Sequence, residues 1–207
     1  REQVDNNTWQ LSVSTTLNHK FGARHFNKTG IVYNQHFYNV DNREAKPLGT
    51  PLGIYALEDG STSSAQVFSQ SNLQLNEKTE LDAGAFIHYF GLSKEWSVEP
   101  RLGLKWKFAP RQSFGLAYGL NSRIEMIGFY LARQQTSSGI IQPNKNLKMS
   151  KAHHFGLAWD WQINPDLRIK VEPYYQYLFD IPVIPNSYFS LQNLEKDWFF
   201  NQTLVNK

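Results

Sequence analysis

His153–Ile163 reads HHFGLAWDWQI. Every second residue from His153 gives His153, Phe155, Leu157, Trp159, Trp161 and Ile163. The residues between are His154, Gly156, Ala158, Asp160 and Gln162. Successive side chains of a strand point to opposite faces, so this segment is a strand with one aromatic face and one small or polar face. The turn sequence NPDL follows, and the pattern resumes. Ile169, Val171, Pro173, Tyr175, Tyr177 and Phe179 alternate with Arg168, Lys170, Glu172 and Gln176. Pro173 has no N–H to give to a ladder and is expected at a bulge or a weakly paired point.

The same period runs through the rest of the chain. Val98, Leu102, Leu104, Trp106 and Phe108 oppose Glu99, Arg101, Gly103, Lys105 and Lys107. Phe114, Leu116, Tyr118 and Leu120 oppose Ser113, Gly115, Ala117 and Gly119. Further strands are expected near Trp9–Phe21, Ile31–Asp41, Ala65–Leu75 and Leu81–Tyr89. The second of these leaves its register open, because Tyr33 and Phe37 sit on one face while Val32, Tyr38 and Val40 sit on the other. Connections that read as tight or short follow the first, third, fifth and seventh strands. The long ones, NREAKPLGTPLGIYALEDGST and FYLARQQTSSGIIQPNKNLKMS, fall among the others. That segregation, with strands of ten or more residues, predicts an all-β fold: an antiparallel up-and-down meander of about eight long strands, part of a transmembrane β-barrel.

Composition agrees with this and narrows it. The 207 residues are 41% hydrophobic and 19% charged, which is the balance of a folded chain. The net charge of +3 carries no basic run, so nucleic acid is not an expected partner. With no cysteine, disulfides and thiolate metal sites are excluded. No apolar run reaches helix-spanning length, which leaves only alternating strands to cross a membrane. The chain offers no amphipathic helix to cover the greasy faces, and the polar faces are rich in glycine, alanine and serine beside charges of both signs. Aromatic residues, 14% of the chain, fit interfacial girdles.

Two longer stretches carry a family resemblance. In the first, Ser97, Glu99, Pro100, Arg101, Gly103 and Leu104 are followed by Gly119 and Ser122. In the second, Asn146, Leu147, Lys148, Ser150, Ala152 and His153 or His154 precede Glu172, Tyr174, Tyr175, Pro182 and Val183. This text resembles the β-barrel of TonB-dependent outer-membrane receptors, in the branch common in Bacteroidetes-type bacteria, densely from Trp96 to Val183 and more loosely before. The resemblance implies nutrient import in the outer membrane of a Gram-negative bacterium, with a ligand such as a siderophore, cobalamin, glycan or peptide. It implies a plug domain and the TonB energy-coupling complex as partners, with a surface lipoprotein as a further one. No plug sequence or TonB box is legible, so residues 1–207 are expected to be an internal segment of one barrel domain.

Site expectations follow from the faces. Glu99, Arg101, Lys105, Lys107, Asp160, Arg168, Lys170 and Glu172 are expected to line the lumen, where mixed signs favour cross-strand ion pairs. Leu102, Leu104, Trp106, Phe155, Leu157, Trp159, Trp161, Val171 and Tyr175 are expected to face outer-membrane lipid. His153 and His154 are adjacent on a strand, point to opposite faces and cannot chelate one ion together. No nucleophile and base pair, G-x-S-x-G, H-E-x-x-H or phosphate loop is present, so neither an enzyme nor a cofactor is expected. Two other architectures fit the alternation. One is a soluble lipocalin-like or sandwich-like module, whose greasy faces would converge. The other is a closed eight-stranded structural barrel, in which the strand at Trp9 would pair with that at Tyr175; residues 181–207, which read as a loop running into a ninth strand, speak against it.

Overall fold

The computed structural model describes residues 2–44, 53–187, 189–193 and 203–207. One antiparallel sheet dominates it. Its strands are β1 (Glu2–Gly22), β2 (His25–Glu44), β3 (Gly53–Asn76), β4 (Thr79–Phe90), β5 (Glu95–Ala109) and β6 (Gln112–Arg123). The 124–149 connection carries helix α1 (Ile127–Tyr130) and the small hairpin β7 (Gln134–Thr136) and β8 (Gly139–Ile141). The sheet continues with β9 (Ser150–Asn164), β10 (Leu167–Val171) and β11 (Tyr174–Phe179). Each long strand pairs with its sequence neighbour, β9 pairs with β6, and β10 and β11 both pair with β9. The tail holds β12 (Pro182–Val183), the 3-10 turn Leu191–Asn193 and β13 (Val205–Asn206).

β10 and β11 together are the strand expected around Pro173. Glu172 and Pro173 interrupt it, and Pro173 gives its carbonyl to the Leu157 N–H at 3.0 Å. The proline has no donor to offer, so the ladder skips it and restarts. Two-residue turns lie at Ala23–Arg24, Glu77–Lys78, Pro110–Arg111 and Pro165–Asp166, all at one end of the sheet, the turn side. The other connections lie at the opposite end, the loop side.

Three expectations need correction. The 42–62 stretch, read as a long connection, is largely strand, since β2 runs to Glu44 and β3 begins at Gly53. Its polar residues still complete a backbone ladder, with Val40↔Glu58 and Asp41↔Leu57 in register. Residues 45–52, which hold the rest of that connection, lie outside the described residues. Trp9, read as near a strand end, therefore sits well inside β1. The tail, expected to enter a ninth long strand, instead doubles back, with Pro182↔Asn206 and Val183↔Val205 paired.

The sheet is a single layer with unlike faces. On β5, Trp96 and Val98 are 62% and 60% exposed, whereas Ser97 and Glu99, which alternate with them, are 3% and 2% exposed. Trp9, Leu11, Val13, Leu17 and Phe21 form a bare apolar row on β1. No second sheet covers them among the described residues, so the converging greasy faces of a sandwich are not found. β1 pairs with β2 alone, and the strand at Tyr175 pairs with β9 alone, so the sheet does not close on itself. The buried hydrophobic residues gather on the polar face, at the loop side. Phe90, Tyr130, Leu147, Met149, Leu191 and Leu204 form one cluster, and Tyr38, Val40, Ala56 and Leu131 a second.

Candidate functional site

The second cluster explains the open register of β2. Tyr38 and Val40 share the polar face with Asn34 and His36 lower on the strand. They are apolar because the 124–149 connection folds inward and lays Leu131 and Ile127 over them. On β4, Phe90 stacks edge-on against Tyr130 at 5.2 Å. The connection is thus a cap seated on the polar face. It also leans on β3: the Arg133 N–H donates to the Tyr55 carbonyl at 2.5 Å, and Gln142 Nε2 donates to Glu58 at 2.8 Å.

Carboxylates tie the ends of the cap to the strands and brace the strands beneath it. Glu99 accepts from the Ser122 hydroxyl and from the Ser122 N–H at 3.2 Å, and lies 3.8 Å from His88 Nδ1. Glu125 accepts from the Ser150 hydroxyl and from Arg123 at 3.1 Å. Glu95 accepts from the Met149 N–H and from Lys151 Nζ at 3.0 Å. Lys151 also reaches Asp180 at 3.1 Å, which ties the tail into the same network. Burial pushes the Tyr130 phenol above its ordinary range, so it stays neutral, and its oxygen accepts from the Glu125 N–H at 3.4 Å. Buried ionic groups persist only when their remaining hydrogen bonds are met, and these acids meet them with hydroxyls and backbone amides.

Below the cap the polar face narrows to aromatic and cationic contacts. The Phe68 and Phe86 rings stack at 5.0 Å, and the Arg101 guanidinium lies 3.8 Å above Phe86. Arg101 also donates to Asn121 at 2.9 Å. Toward the turn side, Arg168 Nε donates to Asp160 at 2.7 Å and its second arm takes the other carboxylate oxygen. Lys170 pairs with Glu172 at 2.7 Å. A cleft of about 430 Å³ lies at the loop side between β1–β2 and the cap, lined by Thr8, Gln10, His36, Phe90, Glu125 and Met126 among others. Among the described residues no cluster of three or more His, Cys, Asp or Glu side chains could hold a metal ion.

Residues 1–196 match the family described as TonB dependent receptor-like, beta-barrel. The chain belongs to the TonB-dependent receptor β-barrel family. Solved structures agree on the fold. The siderophore receptor PirA from Pseudomonas aeruginosa superposes with a TM-score of 0.65 at 13% identity, covering 98% of this chain and 37% of that one. The ferric enterobactin receptor PfeA from the same organism, as a G324V mutant, gives 0.64 at 12% identity, covering 97% and 30%. The copper transporter OprC gives 0.61 at 11% identity, covering 87% and 31%. The chain therefore spans about a third of the length of these proteins. No curated protein matches it in sequence. This receptor barrel is an outer-membrane protein of Gram-negative bacteria, and its family and structural neighbours are receptors and transporters rather than enzymes.

Within the receptor barrel the eight charged residues singled out from sequence fall into two groups. Glu99 and Arg101 lie 3.7 Å apart toward the loop side. Asp160, Arg168, Lys170 and Glu172 form the pairs described above, with Lys105 and Lys107 beside the first of these pairs. Leu102, Trp106, Phe155, Leu157, Val171 and Tyr175 are exposed on the apolar face, and Leu104, Trp159 and Trp161 share that face half-buried. His153 stacks on Phe179 at 5.0 Å and hydrogen-bonds the Tyr118 hydroxyl at 3.0 Å. Sequence reasoning missed Glu95, Glu125, Tyr130, Ser150, Lys151 and Asp180. The available signal was on other strands: large residues Tyr38, Phe86 and Phe90 interrupt an otherwise small or polar face and mark where something lands on it.

Proposed function

We propose that residues 1–207 are a segment of one barrel domain of a receptor that imports a nutrient across the outer membrane. The observation that supports this best is the sheet with a bare apolar face and a polar face that receives the cap. In that reading Leu102, Leu104, Trp106, Phe155, Leu157, Trp159, Trp161, Val171 and Tyr175 meet lipid. Glu99, Arg101, Lys105, Lys107, Asp160, Arg168, Lys170 and Glu172 meet the lumen. The turn side faces the periplasm and the cap faces outward, as in other outer-membrane barrels. The loop-side cleft then opens to the cell exterior, where a ligand arrives. The relatives named above as siderophore receptors and a copper transporter favour a small ligand such as a ferric siderophore, with cobalamin, a glycan or a peptide as rivals. A plug inside the barrel and the TonB complex complete the import machine, and the chain has no catalytic role.

The test compares cells with and without the receptor gene for accumulation of radiolabelled ferric siderophores, cobalamin, oligosaccharides and peptides. Accumulation of one class should require both the receptor and the inner-membrane proton gradient. Accumulation that survives collapse of the gradient would make the protein a passive pore, and no difference for any class would remove the import reading.

A further inference from the structure

The apolar face carries a polar island on β2 and β3. Asn27↔Ser71 and Thr29↔Ser69 are facing pairs, so their side chains point to the same side as the next pair, Ile31↔Val67. That pair closes the island off toward the loop side, and Leu73↔Leu81 closes it off toward the turn side on β3 and β4. Along most of β5, β6 and β9 the same face is aliphatic or aromatic. The island is bonded within itself. Asn27 Nδ2 donates to Ser69 at 3.1 Å and to Ser71 at 3.0 Å, and the Thr29 hydroxyl donates to Asn27 at 2.8 Å. The Thr29 and Ser69 hydroxyls meet at 2.9 Å, and Ser71 meets His25 Nε2 at 3.1 Å.

Depth and shape make the island unusual. Ser71 and Ser69 stand six and eight residues before Glu77, where their turn begins, whereas Trp106 and Trp161 stand four before Pro110 and Pro165. The serines thus lie deeper than the turn-side tryptophans, at a level where lipid tails offer neither donor nor acceptor. Ser69 and Ser71 also face Ala85 and Ala83 on β4. These four small residues leave a hollow roughly 5 Å across the strands and 7 Å along them. Two strands away, Leu17 on β1 stands 67% exposed. It lies six residues before its own turn, the same height as Ser71.

A strand added beyond β1 would extend this face without covering the island, and anything in the lumen stands on the other face. What covers the island must itself lie in the membrane. The island holds no Lys, Arg, Asp or Glu, so it meets its own image without like-charge repulsion. Its hydroxyls and amide both donate and accept, so it can also bond that image. A two-fold axis along the membrane normal, passing beside Asn27 and Thr29, keeps both islands at one depth. It sets Leu17 of each copy against the hollow of the other. We infer that β1–β4 present the contact between two copies of the receptor lying side by side in the membrane. This rests on the reading of the apolar face as lipid-facing. Small side chains let the two sheets approach closely, and the hydroxyls and amides bond across the contact.

The test uses the intact receptor in its native outer membrane, carrying Thr29→Cys and treated with a short bifunctional thiol reagent. Residues 1–207 contribute no cysteine of their own. The expected product is a species of twice the receptor mass, absent from the unsubstituted receptor and from Leu157→Cys, on the same face of β9. The double variant Leu17→Cys, Ser71→Cys should give the same product and leaves the Asn27–Thr29 bond in place. Ala83→Phe fills the hollow and should lower the Thr29→Cys yield about tenfold at unchanged receptor abundance. Absence of the dimer from both cysteine variants, with their thiols taken by a lipid-soluble maleimide, would overturn the proposal and leave lipid as the occupant. A cross-link to a protein of another mass would overturn it as well. Labelling of the Thr29→Cys thiol by a water-soluble maleimide, and not by the lipid-soluble one, would instead show that this face is not in lipid, a failure of the underlying reading.

Discussion

Gly30 shows how closely this sheet depends on single positions. It pairs with Phe68 across the β2–β3 ladder, and the Phe68 ring lies where a Cβ would stand, at 2.6 Å, with the Thr15 carbonyl at 2.7 Å. The ring covers the glycine and then stacks on Phe86, which carries Arg101. Gly30→Val should push Phe68 off that stack and cost about 1–3 kcal/mol, the usual penalty of overpacking. Thermal unfolding of the detergent-solubilised receptor would show it as a lowered Tm, and Gly22→Ala, with nothing within 4 Å of its Cβ position, should leave Tm unchanged. Glu99 is a second such position. Glu99→Ala leaves the half-buried Ser122 N–H and the adjacent His88 and Arg101 without their carboxylate, so it should lower stability by about 3 kcal/mol, read from the same melting curve. The alternation placed Glu99 on the polar face from sequence alone. Its burial was not legible, because alternation assigns a residue to a face and is silent about how closely its neighbours on that face pack around it.

At the scale of elements, the strands were readable and the cap was not. Period-2 alternation places β4, β5, β6 and β9 within a few residues, and the Pro173 break followed from the missing N–H. β2 and β3 were underestimated, because their loop-side ends carry polar residues on both faces and lose the apolar rhythm that marks a strand. The cap has no period at all: a four-residue helix, a three-residue hairpin and irregular chain, each held by tertiary contacts. Tyr130 is its anchor, fully buried between Phe90 and the Glu125 amide. Tyr130→Ala should remove about 3–5 kcal/mol of local packing and free the cap from the sheet. Protease added to whole cells should then cut within residues 131–149 at a rate well above wild type, while Ile140→Ala, at a 63% exposed hairpin position, should leave the cutting rate as it was. Equal resistance in both variants would mean that the carboxylate network alone holds the cap.

The whole molecule turns on which face meets lipid. Leu102 lies near the middle of β5 on the apolar face, and Ala117 lies on the polar face between Gly103 and Gly156. Leu102→Arg should therefore cost about 2–4 kcal/mol and reduce the folded receptor recovered from outer membranes. Ala117→Lys should be tolerated, and the reverse ranking would invert the assignment of the faces. The loop segregation that identifies such a barrel was legible in the sequence because tight turns need few residues and show themselves by what they lack. The heights of the strands were not, and they differ greatly. β3 runs from Gly53 to Asn76, yet its last partner on β4 at the loop side is Ser64↔Phe90. Gly53 to Ser63 therefore rises beyond β4 by about 35 Å along the strand. With the tilt usual in barrels, that is roughly 25 Å of height above β4, a parapet on one flank of the rim whose inner side the cap leans on at Tyr55 and Glu58. Its flanking position makes the mouth lopsided. A bulky particle approaching from the β1–β3 side meets the parapet first and is held off, whereas one descending over β4–β6 reaches the cap directly. An antibody raised to the crest of β3 would thus stand away from the entrance, and one raised to the Gly91–Lys94 turn would cover it.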